Sequence, residues 1–139
     1  MKYILIAITW LLSDSVLASG ACKELPPAND FACNTQVTFT VCKLQVELGL
    51  LKGSPPNEAF SCIEKYKEEI RPVYNSAKQG LIDNEDATEA LKELYSYWLS
   101  SMDALIPSVD ERKFEYRQKL SERELGMKDR ANRLRIESE

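Results

Sequence analysis

Apolar positions divide the chain into one short unbroken run and four helical stretches. Tyr3 to Leu12 (YILIAITWLL) is almost wholly apolar, with Lys2 before it and small or polar residues after it up to Ala21. Together these parts read as a secretory signal peptide over residues 1–21. A bilayer span needs about 20 apolar residues, so this run is too short to cross one. Cleavage fits after Ala18, Gly20 or Ala21. A bacterial lipobox would place an aliphatic residue three before Cys22. Ser19 stands there, so lipidation is not expected.

Cys22 to Asn29 (CKELPPAN) holds a double proline and reads as an extended lead-in. From about Asp30 to Leu51 the apolar stripe Cys33, Val37, Val41, Leu44, Leu48, Leu51 advances in steps of four and three, the helical period. Val37 to Val41 (VTFTV) also alternates and is rich in β-branched residues, so a strand competes there. The longer stripe favours a helix, stopped by Gly53-Ser54-Pro55-Pro56. Ser54 is the expected N-cap of the next helix and Pro55 its first residue. That helix carries Phe60, Ile63, Ile70, Val73 and Ala77, with Tyr66 and Tyr74 beside them. Pro72 should kink or break it near Arg71, and Gly80 should close it. Asp83-Asn84-Glu85-Asp86 opens a third helix, where carboxylates suit the positive dipole end. Its stripe, Ala87, Leu91, Leu94, Trp98, Met102, Leu105, is the clearest in the chain. Ala90, Tyr95, Leu99 and Ile106 widen it, and Pro107 ends it.

The segment 108–139 differs in kind. Ser108 and Glu111 have capping-box spacing. Nine basic and eight acidic residues follow, several at the favourable acid-before-base interval of four: Glu115–Lys119, Glu124–Lys128 and Asp129–Arg133. The apolar residues are sparse. Leu120, Met127 and Leu134 repeat at seven, which is half of a coiled-coil seam. The expected fold is all-α: a small disulfide-stapled helical bundle of three helices over 22–107, then a long charged C-terminal helix over 108–139.

Cys22, Cys33, Cys42 and Cys62 are an even set after an export signal, which reads as two disulfides. No CxxC or other close ligand pair supports a redox motif or zinc. On one helix Cys33 and Cys42 would lie about 13.5 Å apart, against the roughly 7 Å that a disulfide allows between Cα atoms. An antiparallel hairpin turning near Gly53 places Cys42 level with Cys62. The favoured pairing is therefore Cys42–Cys62 with Cys22–Cys33. Cys22–Cys42 with Cys33–Cys62 is the alternative and needs a skewed hairpin.

Composition narrows the function. At 139 residues the chain holds one domain. A net charge of -4 argues against nucleic acid, which calls for clustered Lys and Arg. No histidine is present, which removes Ser-His-Asp and Cys-His catalysis and His-ligated zinc. Asp83, Glu85 and Asp86 lack the ligand pattern of a calcium loop and read as a helix start. Glu68, Glu69, Glu89 and Glu93 read as solvated helix faces rather than an acid/base pair. No metal, cofactor or catalytic residue is expected. Trp98 and Tyr95 lie on the apolar face of the third helix. Tyr97 points off it and is a candidate partner contact, as are Leu120, Met127 and Leu134, through which the C-terminal helix would meet a protein partner or a second copy.

Insect odorant-binding proteins are also small, acidic, helical and cysteine-stapled, but their pair of cysteines separated by three residues is absent. Leu91–Leu105 (LKELYSYWLSSMDAL) resembles the last segment of small secreted bacterial lysozyme-inhibitor-like domains. The Arg and Cys expected after the tryptophan are missing, so no residue role carries over. The leading expectation is an exported, non-enzymatic interaction or accessory module of the bacterial envelope, in the periplasm or outside the cell, with no stable membrane insertion once the signal is removed. The alternative is a secreted carrier of a small apolar ligand, walled by Tyr74, Trp98 and Met102.

Overall fold

The computed structural model describes residues 22–53 and 57–139. The segment read as an export signal lies outside the described residues, as do Ser54 and Pro55, read as the start of the second helix. Four α-helices and no strands occur among the described residues: α1 (Pro27–Lys52), α2 (Asn57–Gly80), α3 (Glu85–Asp103) and α4 (Lys113–Glu137). No described helix is long and apolar enough to cross a membrane. The chain forms the expected all-α, disulfide-stapled bundle. Successive helices run antiparallel. α1 packs on the other three, and α2 and α4 lie on opposite sides of the bundle.

The bridges are Cys22–Cys33 and Cys42–Cys62, with Cα separations of 5.8 and 5.7 Å. The second staples α1 to α2 as the hairpin argument requires. The first pins the lead-in, which forms a turn rather than an extended strand, with the Leu25 N–H donating to the Cys22 carbonyl at 3.2 Å. α1 therefore starts at Pro27, at a position where a missing N–H costs nothing.

Val37 to Val41 is helical. Its threonines are accommodated because their hydroxyls bond back along the helix. Thr35 donates to the Ala32 carbonyl, Thr38 to that of Asn34 and Thr40 to that of Gln36. The inward face of α1 differs from the stripe read in the sequence. Phe31, Ala32, Thr35, Thr38, Phe39, Cys42 and Val46 are buried, whereas Leu44, Leu48 and Leu51 are exposed. Cys42 must face Cys62, and the Trp98 indole N–H donates to the Thr38 hydroxyl at 3.1 Å inside the core. Those two contacts set the rotation of α1 and turn its leucines outward.

Gly53 ends α1 in the left-handed conformation, φ 66°, and its N–H donates to the Gly49 carbonyl. α2 runs unbroken through Pro72, where a kink or break was expected. Pro72 is exposed, and the carbonyl that loses its donor belongs to exposed Glu68, where water can take the bond. Gly80 closes α2 without a positive φ. Asn84 caps α3, its side chain accepting from the Ala87 N–H at 3.0 Å while donating to the Glu137 carbonyl at 2.8 Å. One residue thus ties the start of α3 to the end of α4. The α3 stripe is buried as read, and Phe31, Tyr74, Tyr95 and Trp98 form a continuous aromatic cluster in the core.

α4 begins at Lys113, later than the capping-box spacing suggested. Ser108 and Glu111 form a turn ahead of it, in which the Glu111 carboxylate accepts from the Ser108 N–H at 3.3 Å. Tyr116, Leu120, Met127, Ala131 and Leu134 of α4 are buried in the same core as the other helices, while Phe114 is exposed. The charged residues of α4 reach across to its neighbours. Glu124 pairs with Lys43 of α1 and Arg133 with Glu93 of α3, each at 2.7 Å.

Removing Cys42–Cys62 frees a 20-residue separation, and removing Cys22–Cys33 one of 11. Chain entropy assigns each about 3 kcal/mol, slightly more to the former. Paired Cys→Ala variants should melt lower in that order by calorimetry. Equal melting of the oxidised, reduced and variant proteins would contradict the stapling role.

Candidate functional site

The residues singled out as partner contacts sit inside the fold. Leu120, Met127 and Leu134 keep 1% or less of their surface exposed, because they form the line along which α4 packs on the bundle. They offer no docking face. Tyr97 is half-buried beneath α4. The Arg130 guanidinium lies 3.9 Å from its ring centre and that of Arg123 5.3 Å. Its hydroxyl occupies the space where Gly126 lacks a side chain. Tyr97 is thus the seat for α4. Arg123 stands where the seven-residue repeat lacks an apolar member. Ala131, too small to stand out in the sequence, is fully buried.

The four cysteines are all bridged, and Cys22, Cys42 and Cys62 are buried. Asp83, Glu85 and Asp86 stay exposed at the start of α3. Among the described residues no three His, Cys, Asp or Glu side chains gather in a metal-holding group. Glu93 is held by Arg133, and Glu68, Glu69 and Glu89 face solvent. Trp98 and Met102, named as a ligand-binding wall, have no exposed surface, and Tyr74 is stacked on Tyr95.

The open space lies elsewhere. A groove of about 680 Å³ runs between the last two turns of α1 and the first half of α4. Leu50 and Leu51 form one wall, Pro107 and Ser108 close one end, and buried Tyr116 and Leu120 lie at the base. Charged residues rim it, Lys43 and Glu47 from α1 and Lys113, Arg117 and Glu124 from α4. Lys43 and Glu124 bond each other across it. Glu47, Lys113 and Arg117 make no ion pair among the described residues. The sequence reading assigned Leu51 to the core and gave Leu50 no role. Only the rotation of α1, which a linear stripe does not reveal, brings both to this edge.

Tyr116 anchors the groove base. Its hydroxyl donates to the Leu105 carbonyl at 2.6 Å. Burial, and then the charges of Glu47 and Glu111, push the phenol up to about 12. Lys119 pairs with Glu111 at 2.8 Å and lies over the Tyr116 ring. That hydrogen bond to Lys119 holds the Glu111 carboxyl below its usual value. On the far side of the bundle, the hydrogen bond to Asp103 raises Lys67. These perturbed groups are all engaged in contacts that hold helices together.

Alanine is intrinsically a better helix former than glycine by about 1 kcal/mol. Gly126→Ala should nevertheless destabilise by about 1–3 kcal/mol, because its Cβ would overlap the Tyr97 hydroxyl. The loss should shrink in a Tyr97→Ala background, and a more stable single variant would contradict this packing. Tyr116 makes stability fall as pH rises from about 10 toward 12, since the unfolded chain then releases a proton that the folded one keeps. Tyr116→Phe should flatten that slope in denaturant titrations. At neutral pH it should lower stability by about 1–3 kcal/mol, because the Leu105 carbonyl loses its partner. An unchanged alkaline slope would place the titration on another group. Comparison with known proteins finds no matching family model, no matching curated protein and no matching solved structure.

Proposed function

We propose that this chain is an exported, non-enzymatic interaction module that takes a helical segment of a protein partner into the α1–α4 groove. The observation that carries the reading is the groove's construction. An open apolar wall at Leu50 and Leu51 stands opposite a helix edge bearing Lys113 and Arg117, which make no ion pair among the described residues. An amphipathic helix binds such a site with its apolar stripe on the leucines and its carboxylates on the basic edge. Two disulfides favour an oxidising compartment. With the signal-like sequence of residues 1–21, they support export to the periplasm or beyond. A chain without histidine, whose perturbed titratable groups are tied up in helix contacts, supports binding rather than catalysis.

A photocrosslinking side chain in place of Leu50, with a control at Ile82 at the opposite end of the bundle, tests this in the native envelope. Expected is one discrete adduct with a different protein at position 50, lost with Arg117→Glu and absent at position 82. Equal adducts at both positions, or none at 50, would overturn the reading. The same groove has a volume suited to a small apolar ligand, which favours the carrier as the second reading. Saturable one-to-one uptake of an aliphatic fluorophore, blocked by Leu50→Glu and without a protein adduct, would select the carrier.

A further inference from the structure

A second, smaller opening lies on the flank of α1 away from the groove. It is a cleft of about 170 Å³ between the first three turns of α1 and the middle of α2, with Lys23 of the lead-in at its rim. At roughly 30 Å³ of liquid volume per water, it has room for about six waters or one small organic molecule. Its lining is chemically mixed. Asp30 of α1 and Glu69 of α2 supply carboxylates, Lys23 an ammonium, and Ile70 and Val73 an aliphatic surface. These groups are only partly engaged with one another. Asp30 accepts from the Asn34 side chain at 2.7 Å. Neither Asp30 nor Lys23 makes an ion pair among the described residues, and Glu69 meets Lys65 only at 4.0 Å. Tyr66 stands out. It is 9% exposed, yet its hydroxyl makes no hydrogen bond among the described residues, where a buried tyrosine ordinarily finds a partner. Nor is that hydroxyl sealed inside the core, since the one enclosed side-chain polar atom without a partner among the described residues is Asn29 Oδ1. It therefore opens into the cleft that Tyr66 lines.

We infer that this cleft binds a small aliphatic α-amino acid. Each part of such a molecule has a counterpart in the lining. The ligand's ammonium fits between Asp30 and Glu69 and donates to the Tyr66 hydroxyl oxygen, which gains the partner it lacks. The ligand's carboxylate meets Lys23, which the Cys22–Cys33 bridge keeps beside the start of α1. Its side chain covers Ile70 and Val73. A plain alkylamine leaves Lys23 as an unanswered like charge, and a plain carboxylate faces Asp30 and Glu69. Only a zwitterion answers both signs, so the same charges that attract it discriminate against molecules carrying one of them.

Calorimetric titration of the oxidised protein with L-leucine tests the inference, with isopentylamine and isocaproate as probes that each lack one charge. Expected is saturable one-to-one binding of leucine with Kd below about 1 mM, about tenfold tighter than either probe. Asp30→Asn should weaken it by about tenfold. Tyr66→Phe should weaken it severalfold and leave the melting temperature unchanged, because the hydroxyl has no partner to lose in the unliganded fold. No saturable leucine binding, or binding that both variants leave unchanged, would overturn the site. Isopentylamine or isocaproate binding as tightly as leucine would overturn the zwitterion. The cleft shares no lining residue with the α1–α4 groove, so loss of the groove reading leaves this result intact, and the reverse also holds.

Discussion

The rotation of α1 about its own axis decides what the rest of the molecule can be. It is held by the Trp98 indole N–H on the Thr38 hydroxyl and by the Cys42–Cys62 bridge. A buried indole donor without an acceptor would cost about 1–3 kcal/mol, so α1 presents a threonine there although valines and leucines are available on its other side. Thr38 in turn donates to the Asn34 carbonyl, which leaves its oxygen free to accept from Trp98. With this face inward, Phe31 joins the aromatic cluster of Tyr74 and Tyr95. The leucines of the last α1 turns are left outside, with Leu50 and Leu51 at the groove.

Legibility differed between helices for physical reasons. α3 was read correctly because it has one apolar stripe, continuous and wide, from Ala87 to Leu105. The disulfide pairing was legible because helix rise and hairpin symmetry leave few partners within reach. α1 was misread because it has two apolar faces, and the one with better heptad spacing is not the one that is buried. Its core face includes Thr35 and Thr38, which a hydrophobicity pattern counts as polar. α4 was underread for the opposite reason. Its contact line is completed by Ala131, a glycine and an arginine over a tyrosine ring, which resemble a solvated surface when seen in sequence. The groove depends on both errors being corrected, so its walls could not be assembled from the sequence alone.

The charges of α4 act between helices. Glu124 and Arg133, expected to pair within α4, instead reach Lys43 and Glu93. Exposed pairs of this kind contribute at most about 1 kcal/mol each. The buried line from Tyr116 to Leu134 supplies the attraction, and the ion pairs select the alignment at which α4 settles. The bond from Asn84 to the Glu137 carbonyl fixes the far end of the same alignment.

The two covalent staples both lie between Cys22 and Cys62, while α3 and α4 are joined to each other and to that pair only by packing, hydrogen bonds and ion pairs. Resistance to opening is therefore graded along the chain. α1 and α2 cannot part at Cys42–Cys62 while that bridge holds, whereas α4 can leave its neighbours by non-covalent steps alone. When α4 lifts away, it bares Leu120, Met127 and Leu134 beside Tyr97 on α3. This apolar line is thus covered only while α4 stays seated. The seat of α4 on Tyr97 therefore guards against unwanted association.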